Sequence, residues 1–246
     1  MEFNYDLIFS FFGIPFLYML IIYFTAPYKS ISLKQGFKAI IFGFISITVL
    51  HFIYLIFPPY NYDCLTEFEK WFYVVGFREE LAKFVAFLML MKWAIKGKQH
   101  PIAYMYYSAL VGLGFAIEEN VAYMQRYGEM VLQIRNFTSV LAHIFFGMFA
   151  GYWYGLGKLN TGVYNTRSTF GVVMKKWPKT KQFIYSFIGI GAAAMYHGLW
   201  NYNLSNSAWA RDSIMILMIF IGLVSTNLLA NNLIVGYRNK IKLKNE

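Results

Sequence analysis

The sequence predicts an all-α protein: a polytopic bundle of about seven transmembrane helices, with the N-terminus outside and the C-terminus in the cytoplasm. Three observations predict it. Of 246 residues, 58% are hydrophobic and only 14% charged. Soluble domains carry about 25% charged residues, so too few charges remain here to cover a soluble surface. Apolar runs near the ~20 residues needed to cross a ~30 Å hydrocarbon core recur along the chain. The loops between them alternate between cation-rich and cation-poor, as the two sides of a membrane require. The 21% aromatic content excludes a disordered chain, and 19 Gly with a single Cys exclude collagen-like and disulfide-scaffold chains.

Taken in order, the runs cover 7–26, 37–57, 71–96, 102–124, 137–157, 183–204 and 212–236. Each has to be helical, because lipid offers no partner to backbone N–H and C=O groups, and barrel-type alternation is absent. The first run lacks a basic leading region and a small-residue cleavage site, so it reads as a retained span and not a signal peptide. Cations fill the loop 27–36 (Lys29, Lys34), the loop 97–101 (Lys98, with Lys92 and Lys96 just inside), the loop 158–182 (Lys158, Arg167, Lys175, Lys176, Lys179, Lys181) and the tail (Arg238, Lys240, Lys242, Lys244). The intervening stretches are poor in them. Glu2 and Asp6 precede the first run; Asp63, Glu67 and Glu69 outnumber Lys70; Arg126 and Arg135 stand against Glu129; 205–211 has Arg211. The positive-inside rule then sets the orientation. The net charge of +10 is explained by topology and contact with anionic lipid, without nucleic acid. Cys64 is alone, so neither an internal disulfide nor a cysteine metal site can form. The chain reads as one integral membrane domain, 1–246, with flanking spans 7–57 and 212–236 around a core of about 71–204.

That core holds polar residues where they are costly. A charge inside a span costs roughly 2.5–3.5 kcal/mol on insertion scales and marks a functional site by default. Four of the 12 acids, Glu79, Glu80, Glu118 and Glu119, lie in apolar spans, as do His143 and His197. With a rise of ~1.5 Å per residue, Glu79 lies ~12 Å, Glu119 ~8 Å, His143 ~9 Å and His197 ~10 Å below the outer ends of their spans. Four helices thus bring polar groups to one level in the outer half of the membrane. His51 lies near the end of the second run without an accompanying acid and reads as structural.

Local spacing supports a single site. Lys83 stands at i+4 from Glu79 and i+3 from Glu80, so it pairs with one of them on a shared face. A buried salt bridge alone leaves the second acid unexplained. Adjacent Glu118 and Glu119 diverge by about 100° on a helix, so one faces the bundle and the other solvent or another polar helix. Gly147, Gly151 and Gly155 form a small-residue seam at i+4 spacing, which in membranes marks close helix packing. Asn201 lies one turn from His197, placed to orient an imidazole or to bind an oxyanion. Two histidines and a glutamate suit a catalytic Zn²⁺ with water at the open position and a carboxylate as base. The same residues without metal activate water directly, a glutamate as base and a His or Asn polarising a carbonyl. Both schemes are hydrolytic. Ser-His-Asp, Cys-His, HExxH and Gly-rich phosphate patterns are missing.

Four motifs in order, each in a span, carry a resemblance: Glu79-Glu80-x-x-Lys83, Phe115-x-x-x-Glu119-Asn120, His143-x-x-x-Gly147 and His197-x-x-x-Asn201. They resemble those of the PrsW family, multi-spanning intramembrane proteases that make the first cut in membrane-anchored anti-sigma factors. The wider clan is similar to the CAAX-prenyl endopeptidases and bacteriocin-processing enzymes. The resemblance covers about residues 76–201, and spans 1, 2 and 7 carry no matching motif. It implies a multi-pass protein of the bacterial plasma membrane that cleaves a single-span membrane protein near its extracytoplasmic side. It further implies Glu79 or Glu80 as the water-activating base. His143, His197 and Glu119 become Zn²⁺ ligands or, without metal, transition-state contacts, with Asn201 and Asn120 as supporting polar groups.

Two other function classes stay open at this stage. A metal-ion or proton-coupled transporter uses intramembrane Glu/His clusters too, although the hydrophobic pattern shows no repeat and the cluster lies off the midplane. A non-enzymatic scaffold binding single-span helices through the glycine seam is the third.

Overall fold

A computed structural model describes residues 9–58, 64–97, 99–160, 166–167, 173–174, 180–205 and 208–245. Of the loop charges above, Glu2, Asp6, Asp63, Lys98, Lys175, Lys176 and Lys179 lie outside this set.

Helix occupies every one of the seven apolar runs. α1 (Ile14–Thr25) follows a π-helical turn, Phe9–Gly13; α2 is Leu33–Ile56. α3 (Arg78–Met89) is flanked by π-helical segments Lys70–Phe77 and Leu90–Ala94. α4 (Pro101–Tyr127), α6 (Ser139–Asn160), α7 (Thr180–Ser205) and α8 (Ala208–Asn245) fill the later runs. A two-residue antiparallel ladder, Thr166–Arg167 with Val173–Met174, lies between α6 and α7. Among the described residues, three stretches are long and apolar enough to cross a membrane by length and composition alone: Leu33–Ile56, Val131–Asn160 and Ser213–Lys242. The helices that carry the buried acids and histidines are less apolar for that very reason, and α3 is short.

Two details differ from the sequence reading. The third run is not one regular helix but changes from π to α at Arg78, directly before the paired glutamates. Such π segments inside helices gather at functional sites. The stretch 125–136, read as a loop, contains a further helix, α5 (Val131–Phe137), which buries Leu132, Arg135 and Asn136. Seven residues with polar Gln133, Arg135 and Asn136 give no clear helical period, so nothing in composition separated them from a loop.

Termini are set by local chemistry. Ser32 and Gln35 form a capping box at α2, and Thr66 with Glu69 forms another at the turn Glu67–Glu69 that leads into the third run. In that exposed turn, hydrogen bonds from Lys70 and Trp71 hold the Glu67 carboxyl below its usual range. The Thr66 backbone N–H does the same for Glu69. Pro101 opens α4 at its first position, and Gly128 closes it at φ 82°.

α4 is the axis of the bundle, its residues 102–116 buried except for half-buried Tyr104. Glycines let its neighbours approach. A methyl group on Gly147, Gly151 or Gly155 of α6 would collide with the carbonyl oxygens of Ser108, Tyr104 and Pro101 respectively. The expected seam is therefore a packing surface. Gly43 of α2 meets Gly114 of α4 in the same way, and Gly76 packs on Ala194 and Gly198 of α7. The apolar Val131–Asn160 stretch is 72% buried, whereas Leu33–Ile56 and Ser213–Lys242 are 17% and 28% buried. The latter two turn Ile41, Phe44, Ile216 and Phe220 outward, as lipid-facing helices do.

Candidate active site

The paired glutamates enter the bundle on the first turn of α3. Glu79, Glu80 and Lys83 are 8%, 2% and 4% exposed, so their charges can be balanced only by one another and by what neighbouring helices present. Lys83 Nζ lies 2.6 Å from Glu80 Oε1 and 3.9 Å from Glu79 Oε2. It also sits 2.8 Å from His143 Nδ1 and 4.1 Å from the centre of the Phe115 ring. The Phe of the second motif thus lies beneath the Lys of the first, a cation–π contact in a dry setting.

α7 delivers His197 against the other face of this pair. Its Nδ1 is 2.8 Å from Glu80 Oε1, and its Nε2 is 3.7 Å from Glu79 Oε2. A carboxylate on Nδ1 sets the tautomer, with Nδ1–H donating to Glu80 and Nε2 left bare towards Glu79. His143, on α6, receives the opposite treatment. An ammonium only donates, so Nδ1 accepts from Lys83, and Nε2 carries its hydrogen towards Glu119 Oε2, 3.0 Å away. The two imidazoles stand perpendicular, 5.2 Å between ring centres, and Phe146 stacks on His197 at 4.8 Å.

Glu80 Oε1 is thus engaged twice, while Glu79 Oε2 is buried with no hydrogen-bond partner among the described residues. An orphaned carboxylate oxygen beside two imidazoles is where a water or a cation belongs. Among the described residues, the three whose ligand atoms all lie within 4.8 Å of one another are Glu79, His143 and His197. This donor set, two imidazoles and a carboxylate, suits Zn²⁺ once a ring nitrogen of His143 exchanges its contact with Lys83 or Glu119 for the ion. It differs by one residue from the sequence expectation of His143, His197 and Glu119. Glu119 meets this set at His143, and its Oε2 is shared with Arg135, whose Nη2 is 2.5 Å away; Arg135 Nε is 2.7 Å from Asn120 Oδ1.

Glu79, Glu80, Glu119, His143, His197, Lys83 and Asn120 are therefore gathered in one cluster. Asn201 lies one turn beyond His197, partly exposed, its amide making no hydrogen bond to another described residue. Glu118 makes no ion pair with another described residue, and His51 is exposed. Sequence reasoning missed Arg135, counted only as a loop cation, and Asn136, fully buried behind it. Two adjacent polar residues between apolar ones, next to the second motif, were the available signal. It also missed Arg78, whose guanidinium lies 5.0 Å from the Tyr54 ring centre.

Comparisons with known proteins give the family. A family model described as PrsW family intramembrane metalloprotease matches residues 32–226. The chain is similar to Protease PrsW of Oceanobacillus iheyensis, 28% identical over 152 residues that span 61% of this chain and 68% of that one. No solved structure matches. A match over most of the chain, by a family whose members cut peptide bonds inside membranes, decides between the protease and transporter readings. The chain belongs to the PrsW family of intramembrane metalloproteases and is a multi-pass membrane protease.

Proposed function

We propose that this protease hydrolyses a peptide bond of a single-span membrane protein, such as an anti-sigma factor, near the extracytoplasmic side, and that Glu79 activates the water. The observation that carries this reading is the contrast within one dipeptide. Glu80 is held by Lys83 and His197, whereas Glu79 keeps a buried oxygen free at 3.7 Å from the bare Nε2 of His197. A general base needs an accepting oxygen and a reaction partner within one water's reach. Glu79 takes a proton from water as the water oxygen bonds to the scissile carbonyl carbon. The same proton passes to the leaving amide nitrogen as the C–N bond breaks. Negative charge on the carbonyl oxygen needs a donor already in place, and the Asn201 amide, one turn from His197 on α7, is the candidate. The outer-half depth of the four polar levels supports cleavage near the extracytoplasmic face, and the outward apolar faces of α2 and α8 support lipid as the surrounding partner.

Metal assistance is a finer part of the same reading. Glu79, His143 and His197 would hold a Zn²⁺, which would supply Lewis acidity at the substrate carbonyl. Zinc content of purified protein, with and without His143→Ala and His197→Ala, tests whether a metal is held there. The function itself is tested by co-reconstitution with a single-span substrate. Glu79→Gln is expected to lose at least ~100-fold in rate, the scale of a general base. A Glu79→Gln protein cleaving at the wild-type rate overturns the reading.

A further inference from the structure

We propose that Arg135, on the short helix α5, is a positioning residue of the active site, holding Glu119 against His143 through a two-pronged contact that only a guanidinium can make. The inference rests on the protease reading for its effect on rate, but not for its effect on geometry.

Arg135 is 7% exposed in a chain that is otherwise sparing with charge. All described contacts of its side chain go to one turn of α4. Nη2 meets Glu119 Oε2 at 2.5 Å, Nε meets Asn120 Oδ1 at 2.7 Å, and the guanidinium carbon lies 3.7 Å from the centre of the Tyr123 ring. Glu119 and Tyr123 are one turn apart, so the planar group spans that turn with its edge on two polar side chains and its face on the ring. A lysine has the charge but neither the fork nor the plane. The oxygen that Arg135 grips, Glu119 Oε2, is the same one that faces His143 Nε2 at 3.0 Å. Arg135, Glu119 and His143 therefore form a relay of contacts into the site. Without the guanidinium, the glutamate side chain has rotamers that leave the imidazole.

α5 is itself anchored. Asn136, fully buried, accepts from Asn120 Nδ2 at 3.3 Å and donates to the Ser10 carbonyl at 2.8 Å. The Tyr18 hydroxyl donates to the Asn136 carbonyl at 2.9 Å. The N-terminal helix, which carries no motif, thus steadies the helix that carries Arg135. A merely structural ion pair explains the charge of residue 135 but not the simultaneous hold on Asn120 and on the oxygen facing His143.

The test compares Arg135→Lys, Arg135→Gln, Glu119→Gln and the Arg135→Gln/Glu119→Gln double variant with the wild type. One measurement is cleavage of a co-reconstituted single-span substrate. The other is the His143 Nε2 resonance in ¹⁵N-histidine-labelled protein, assigned by its loss in His143→Gln and read without substrate. Outer-shell partners are typically worth 10–100-fold in activity. Arg135→Lys is therefore expected to lose ~10-fold or more in kcat with KM within about 2-fold, and Arg135→Gln more. The double variant should be no worse than Glu119→Gln alone. The His143 resonance should move in Arg135→Lys as it moves in Glu119→Gln. An Arg135→Lys protein with wild-type kcat and an unmoved His143 resonance overturns the proposal, as does an Arg135→Gln loss that is undiminished in the Glu119→Gln background. Because the resonance is read without proteolysis, a wild-type protein that fails to cleave would sink the protease reading alone.

Discussion

Glu79 and Glu80 are neighbours of identical chemistry, and the fold separates their roles by what touches them. Glu80 accepts from an ammonium and an imidazole at 2.6 and 2.8 Å; Glu79 Oε2 accepts from nothing. Substitution should expose the difference. Glu80→Gln is expected to cut the cleavage rate ~10–100-fold by releasing the His197 tautomer, a smaller loss than that of Glu79→Gln in the same assay. Lys83→Met leaves Glu80 buried without its cation and should destabilise by about 3–5 kcal/mol, read as a lowered midpoint in detergent unfolding. Spacing made Glu79, Glu80 and Lys83 legible as one unit, because i, i+3 and i+4 share a face in any helix. It could not say which acid Lys83 takes, since that depends on where His197 arrives from α7. For the same reason depth placed Glu119 with the histidines but could not show that an arginine from sixteen residues later shares its Oε2 with His143.

Helices meet here through missing side chains. Gly147, Gly151 and Gly155 bring α6 onto the backbone of α4, and that approach places His143 within reach of Lys83 and Glu119. Gly151→Leu is therefore expected to lower the unfolding midpoint and abolish cleavage together. Gly191→Ala, where an added carbon meets nothing within 4 Å, should leave both unchanged or raise stability by up to ~1 kcal/mol through helix propensity. The seam was readable because i+4 glycines have one common use between membrane helices. The π segments beside α3 and the existence of α5 were not. The former depend on backbone registration that side-chain type does not encode. α5 is too short for periodicity, and its burial comes from Asn120 and Ser10, distant in sequence.

At the scale of the molecule, hydropathy and loop charge account for the bundle, and every apolar run became helix. Orientation is an expectation that Cys64 can check. This lone cysteine is exposed, next to the acidic turn Glu67–Glu69. With that turn outside, a membrane-impermeant maleimide should label it in intact cells without permeabilisation. Labelling only after permeabilisation would invert the topology.

The pairing of the buried charges also has a consequence for biogenesis. As the chain leaves the ribosome, α3 carries its own counter-ion, since Lys83 follows Glu80 by three residues. α4 does not: Glu119 must wait for Arg135, sixteen positions later, before its charge is met. α4 and α5 are thus expected to leave the insertion machinery as a unit, because α4 released alone would carry an unmatched carboxylate into lipid. His197 comes last of the cluster residues, so the site cannot be assembled until α7 has entered, and the nascent enzyme is inert for most of its own synthesis.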